Sequence, residues 1–257
     1  MREKSEGIDV DTASAIDTRR QLSYDAVWPS SRQLDIDGWL NNFEDGRDRE
    51  IAVSILLSHV HLNEEQIKYS VASTIRTLST DKRFGKASDR PAAWRAFLQT
   101  VWFSYPESRA NDITASGHLF MRVIESLGIP EAHIFAPSVL LKELITKGPR
   151  DVIFLDDLTG TGNQFVQHWS RKYSLPIGKH SLADAAEDGR ISSAYFLPVV
   201  ATEDSKNRIE SSCGVEVRSA YLIGKEYYAL DPSSRIAPGV SRAELRTFLQ
   251  RYSPRVE

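Results

Sequence analysis

The sequence predicts an α/β fold of three layers, with a mostly parallel sheet and a helical extension ahead of it. Three observations carry that expectation. The stretch "DVIFLDD" (Asp151 to Asp157) sets four consecutive apolar residues between polar ones, the pattern of a strand covered on both faces. Helical patterns alternate with further apolar runs downstream of it, as crossover connections in a parallel sheet require. Upstream, apolar residues recur at spacings of three and four, the period of packed helices.

Taken in order, residues 1–33 read as a leader, mobile or ordered by a partner, because "MREKSEGIDVDTASAIDTRRQ" carries charges and no apolar period. Residues 34–99 read as a helical region. In "DIDGWLNNF" Asp37 is the expected N-cap, and "REIAVSILLSHVHL" places Ile51, Ile55, Leu56 and Val60 near one face. Asn63 caps the next helix, striped by Ile67, Val71, Ile75 and Leu78. A helix over Pro91 to Gln99 runs into "TVWFSY", whose aromatic and β-branched residues favour a strand and open an α/β domain over residues 100–257.

"PESRANDITASG" has no apolar period and reads as a long loop. The helix "GHLFMRVIESLG" ends at Gly128 with Pro130 behind it, and "SVLLKELITKG" ends at Gly148. After "DVIFLDD" come the apolar runs "SSAYFLPVVAT" and "VEVRSAYLIG" and a terminal helix "SRAELRTFLQRY".

Composition excludes several classes. With 41% hydrophobic residues over 257 positions the chain can bury a sizeable core, and 32 basic against 35 acidic residues leave no global field to gather nucleic acid. A lone cysteine, Cys213, excludes an internal disulfide framework and fits a reducing, cytoplasmic setting. No apolar run approaches the roughly 20 residues that span a bilayer, and the first residues lack a signal-peptide core. Neither nucleic acid nor membrane is an expected partner, and the oligomeric state stays open.

The chemistry is concentrated in "FLDDLTGTGNQF". Asp156 and Asp157 stand at the carboxyl end of the expected strand, where open α/β sheets bind ligands. Thr159 to Gln164 form the expected turn into a helix beginning near Phe165. Such a turn directs backbone N–H groups and a helix dipole at an anion, Gly160 and Gly162 permit close approach, and Thr159 and Thr161 add hydroxyl donors. Two carboxylates repel a phosphate but accept hydrogen bonds from vicinal hydroxyls. A ribose 5-phosphate carries both parts. A dinucleotide fingerprint would put its glycines first and its acid later, and a P-loop would put Lys after the Gly. Neither order occurs here.

The stretch resembles the phosphoribosyl diphosphate (PRPP) motif of type I phosphoribosyltransferases, in which apolar residues lead to two acids and then to a Thr/Gly loop entering a helix. That resemblance implies the type I phosphoribosyltransferase form of the α/β fold. It implies that Asp156 and Asp157 hold the ribose hydroxyls in a catalytic centre, and that Thr159, Gly160, Thr161, Gly162, Asn163 and Gln164 wrap the 5-phosphate. Gln164 departs from the pattern, which has a hydroxyl residue there. "WLNNF", "SYPES", "SGHLF" and "FLDDLTGTGNQF" together resemble a phosphoribosyltransferase-like family of bacterial conflict and antiphage systems, some encoded beside retron reverse transcriptases, over residues 39 to 230. Members of it often continue past the point where this chain ends, which implies a reduced or altered lid or base-recognition part.

The function so implied is binding of PRPP or a ribose-phosphate nucleotide, with ribosyl transfer at C1 by an effector of antiphage defence. The alternative is a non-catalytic nucleotide-sensing or regulatory subunit with a defence-system protein or ribonucleoprotein as partner. The diphosphate would need Mg²⁺ and a cationic side chain. Arg109 offers the charge, with Ser116 and Gly117 opening the next helix toward an anion, or Arg109 is an incidental loop residue. Glu203, Asp204 and Lys206, after the strand ending near Ala201, either line the same sheet edge or, the preferred reading, form a charged helix start. His59 and His61, two apart on an expected helix, make no metal pair, and His118 reads as a plain helix position.

Overall fold

Val152 to Leu155 are almost completely buried, and around them the strand runs farther than the sequence predicts, from Arg150 to Thr159. The computed structural model describes residues 12–30, 32–43, 46–81, 89–107 and 115–253, with backbone alone at 12, 115–119 and 121. In chain order the helices are α1 (Thr12–Tyr24), α2 (Ile36–Leu40), α3 (Gly46–Ser58), α4 (Glu64–Ser79), α5 (Arg90–Thr100), α6 (Ala115–Ser126), α7 (Pro137–Lys147), α8 (Asn163–Ser170), α9 (Leu182–Glu187), α10 (Glu203–Cys213) and α11 (Arg242–Tyr252). The strands are β1 (Val101–Ser104), β2 (Arg150–Thr159), β3 (Tyr173–Leu175), β4 (Gly178–His180), β5 (Ile191–Thr202), β6 (Glu216–Val217) and β7 (Tyr221–Ile223).

The chain divides into two compact units, Met1–Glu64 with Gly224–Glu257, and Glu65–Ile223. The sequence-based segments divide it instead at 33 and 99. Within the expected leader, Thr12–Tyr24 is a helix, and Ala15 and Trp28 are buried. The first unit packs Trp28, Ile36, Leu40, Phe43, Ile51 and Leu56 against Leu245 and Phe248 from the far end of the chain. Its polar anchor is Asp48 of α3, buried, which accepts hydrogen bonds from Arg251 and from the Tyr252 hydroxyl of α11. The cap of α2 is Asp35, whose carboxylate accepts from the Gly38 N–H; Asp37, the expected cap, lies in the first turn. His59 and His61 fall beyond the end of α3, and the His59 ring meets Trp28 edge-on at 5.3 Å.

The second unit holds the expected mostly parallel sheet, in the order β1-β2-β5-β6, with β7 pairing β5 farther along and every one of these pairings parallel. Alternation along β2 feeds two layers of helices. Val152 and Phe154 join a core with Leu141, Leu144, Phe165, Trp169, Leu182 and Ile209, contributed by α7, α8, α9 and α10. On the opposite face Phe103 of β1 meets Phe97 of α5 at 6.2 Å, and α6 packs on β2. The three-layer expectation is thereby met. The aromatic run "WRAFLQTVWFSY" is core, since Phe97, Trp102, Phe103 and Tyr105 are buried. "VEVRSAYLIG" is two short strands rather than one, and the β3–β4 hairpin and α9 follow α8 without having been expected.

One detail of the topology positions the site. Phe103 pairs with Ile153 on one side of β1 and bridges to Ile134 on the other. The chain therefore leaves β1 through α6 to one edge, then returns through α7 to β2 on the other. This is a topological switch point, and it lies between the carboxyl ends of β1 and β2.

Candidate functional site

Strand β1 pairs with β2 only as far as Phe154, whereas β5 pairs with β2 to Thr159. Among the described residues, the last residues of β2 thus have a strand neighbour on one edge only, and the other edge faces the switch point. Asp156 is half-buried there and Asp157 is exposed. The Asp156 carboxylate accepts the Asp157 N–H at 2.9 Å, and the Asp157 carboxylate accepts the Leu158 N–H at 2.8 Å. Burial, reinforced by the adjacent Asp157 charge, pushes the Asp156 carboxyl up to about 8. At neutral pH Asp156 holds a proton until something supplies donors or positive charge.

The turn after β2 is shorter than the sequence predicts. Only Gly160, Thr161 and Gly162 lie between the strand and α8, which begins at Asn163 rather than near Phe165. Gly162 is the N-cap with φ 74° and has no side chain to cap the helix, while Thr161 Oγ1 accepts from the Asn163 N–H at 3.4 Å. The N–H groups of the first turn beyond Asn163 are the ones an anion can meet. They border a cavity of about 80 Å³ lined by Asp156, Thr159, Gly160, Thr161, Gly162 and Gln164. That is a small recess, on the scale of a phosphate group.

The loop is held from behind by α10. Thr202 Oγ1 donates to the Gly160 carbonyl at 2.6 Å, and Ser205 Oγ donates to the Thr159 carbonyl at 3.0 Å. A Cβ on Gly162 would lie 3.1 Å from the Ser205 carbonyl oxygen and 3.2 Å from Ile209 Cγ1, whereas Gly160 faces open space. The two glycines therefore have different reasons: Gly162 admits α10, and Gly160 leaves room for a ligand. Asn163 turns its side chain to α10 as well, its Oδ1 accepting from Arg208 Nη1 at 2.6 Å.

Of the residues singled out in the sequence, the structure brings Asp156, Thr159, Gly160, Thr161, Gly162 and Gln164 around one cavity, with Asp157 and Asn163 adjoining it in the chain. Ser116 and Gly117 lie on the first turn of α6, while Arg109 lies outside the described residues. Thr202 caps α10, and Glu203 and Asp204 occupy its first turn, as the helix-start reading expects. Lys206 turns away to Glu210 and the Val217 carbonyl.

A comparison with protein families then decides the lineage. Residues 36–256 match the family described as PRTase-CE. The chain belongs to the PRTase-CE family. A search of curated proteins gives no match. The PRTase-CE assignment supports a phosphoribosyltransferase-like protein with an α/β fold, and it extends the region of resemblance to α11.

Sequence reasoning missed Thr202, Ser205 and Arg208 of this PRTase-CE chain, because their partners are 42, 46 and 45 residues away. The available signal was their place just beyond the apolar run of β5, at the same sheet edge as the acids. Arg208 is exposed and carries positive charge to the rim of the loop. Replacing it with Ala is expected to leave the melting temperature within about 1 °C, as for most surface changes, and to weaken inorganic phosphate or ribose 5-phosphate binding several-fold. Titrations at low and high salt check this, since the loss should shrink as salt screens the charge. Burial raises the Cys213 thiol to about 11, so little of it is thiolate at neutral pH. Among the described residues, no three His, Cys, Asp or Glu side chains form a metal cluster, and no helix is long and apolar enough to cross a membrane.

Proposed function

We propose that this chain binds PRPP or a ribose-phosphate nucleotide and catalyses ribosyl transfer at C1. The 5-phosphate lies against the first turn of α8, and the ribose hydroxyls face Asp156 and Asp157. The observation that supports this is the union, at a switch point, of a helix N-terminus that begins at a glycine with an aspartate pair in which burial, and then the neighbouring Asp157 charge, raises Asp156. A phosphate and a vicinal diol joined in one molecule satisfy both halves.

In the transfer, the bond from C1 to the diphosphate oxygen breaks and the diphosphate departs with the electron pair. A bond forms from the acceptor to C1, and the acceptor loses its proton. The sugar becomes positively charged between these events, so its held hydroxyls and phosphate fix the geometry and the carboxylates favour the charge. The donor set suits Mg²⁺ brought in with the diphosphate, since that ion takes one or two carboxylates besides phosphate oxygens and water, and exposed Asp157 would serve as such a ligand. When bound, the ion would neutralise the leaving diphosphate.

The sequence resemblance supports a setting in bacterial antiphage defence. Incubation with PRPP, Mg²⁺ and a pool of cellular nucleotides, followed by mass spectrometry, is expected to show diphosphate release and a ribosylated product, both lost in Asp157→Asn. One observation favours a second reading, a nucleotide sensor that regulates a partner: Gln164 lines the phosphate cavity where related motifs carry a hydroxyl. Saturable binding of PRPP with no turnover by the intact protein would establish that reading and dismiss the catalytic one.

A further inference from the structure

Beneath the switch point, Glu107 ends the described part of the segment leaving β1, and it is 1% exposed. Each of its polar groups is bonded to the stretch formed by α8 and the start of β3. Its backbone N–H donates to His168 Nδ1 at 3.3 Å. Its carbonyl accepts from Arg171 Nη1 at 3.1 Å. Its carboxylate accepts from the Tyr173 hydroxyl at 3.1 Å. His168 is fully buried between these groups and the rings of Phe154 and Phe165, and desolvation holds its imidazole neutral with Nδ1 free to accept. The Nε2 atom is then the protonated one, and it is buried without a partner. An unpaired buried donor is costly, so the fold tolerates this histidine for what Nδ1 holds.

We propose that Glu107, His168 and Tyr173 are positioning residues that lock the exit of β1 to the helix carrying the phosphate loop, giving the crevice two lips of fixed separation. The proposal rests on the ribose-phosphate reading above. With the sugar hydroxyls at the end of β2, a substituent on C1 must leave toward β1 or toward β5. The β5 side is filled by Thr202 and Ser205, both bonded to the loop itself. The C1 diphosphate of PRPP therefore lies on the β1 side, where its affinity depends on the lock. Ribose 5-phosphate, which lacks that group, does not depend on it.

The test is calorimetric titration of PRPP with Mg²⁺, and of ribose 5-phosphate, into the wild type and three variants. Tyr173→Phe keeps the ring and removes the hydroxyl, and is expected to weaken PRPP about tenfold, the scale of one hydrogen bond to a charged group, with ribose 5-phosphate changed less than about twofold. Glu107→Leu should behave likewise, and Glu107→Gln, which retains an acceptor for Tyr173, should restore most of the PRPP affinity. Equal losses for both compounds would mean general damage and overturn the proposal, as would unchanged PRPP affinity in Tyr173→Phe. If Glu107→Gln is as impaired as Glu107→Leu, the carboxylate charge acts directly and the positioning role fails. A wild type that binds neither compound overturns the ribose-phosphate reading and the positioning role together, an outcome visible before any variant is made.

Discussion

Asp156→Asn is expected to make the ligand-free protein more stable than the wild type at pH 8 while removing its response to PRPP. The folded-state carboxyl titrates at about 8 against an ordinary value of 3.8, so between those pH values the folded protein keeps a proton that the unfolded chain has released. Stability from this group is complete below the unfolded value, declines as pH climbs through the window, and is flat above about 8. An amide does not titrate. Its oxygen can still accept the Asp157 N–H, and its NH₂ can donate toward the neighbouring carboxylate. The variant's advantage should therefore be absent near pH 4 and grow to about 2 kcal/mol at pH 8 after local relaxation, which is roughly 4–8 °C for a chain of this size. The stabilisation that PRPP gives the wild type by linkage should vanish, because an amide nitrogen cannot accept from a ribose hydroxyl. Scanning calorimetry from pH 4 to pH 9, with and without PRPP and Mg²⁺, measures both effects. A variant no more stable than wild type at pH 8 would show that burial does not raise Asp156 in the folded protein. A retained ligand response would move the sugar elsewhere.

The second large effect separates the two glycines of the loop. The sequence alone predicts that Gly162→Val blocks the phosphate without unfolding the domain. The structure relocates the clash, because the new Cβ would press on the Ser205 carbonyl and Ile209 of α10, at a φ of 74° that a branched residue resists. Backbone strain and overpacking together should cost about 3 kcal/mol or more, loosening α10 from the loop. Gly160→Val is the variant that blocks the ligand alone. Its Cβ meets nothing within 4 Å, and its backbone is outside the left-handed region. Circular dichroism melts should show Gly162→Val unfolding well below the wild type and Gly160→Val close to it. Ribose 5-phosphate should bind Gly160→Val at least about tenfold more weakly, since the added carbons stand in the phosphate space. Tight binding to a folded Gly160→Val would refute the loop as the phosphate site.

Local chemistry carried much of the fold and the centre of the site. Four buried apolar residues with two acids behind them specify a central strand and the end where a candidate site lies, because burial on both faces needs no knowledge of partners. The capping chemistry of α11 was equally local: Ser241 and Glu244 form a reciprocal box within one turn. The order of acids before glycines was legible as well, and the resemblance to the PRPP motif rests on it.

Tertiary structure decided what depends on residues far apart in the chain. The periodicity of α3 shows an apolar face but not its partner, and only the fold pairs that helix with α11 across 203 residues through Asp48 and Arg251. The raised carboxyl of Asp156 is likewise invisible in "DDLTG", because desolvation arises from the packed sheet and not from sequence neighbours. The same holds for Gly162, which looks like a ligand glycine until α10 is folded against it, and for Glu107, one acid in an apparent loop until α8 and β3 close around it. Periodicity and capping act over a turn or two of chain, so they are written in the sequence. Close approach, burial and the neighbours of a charge are set by which surfaces pack together, and those emerge only when the chain has folded.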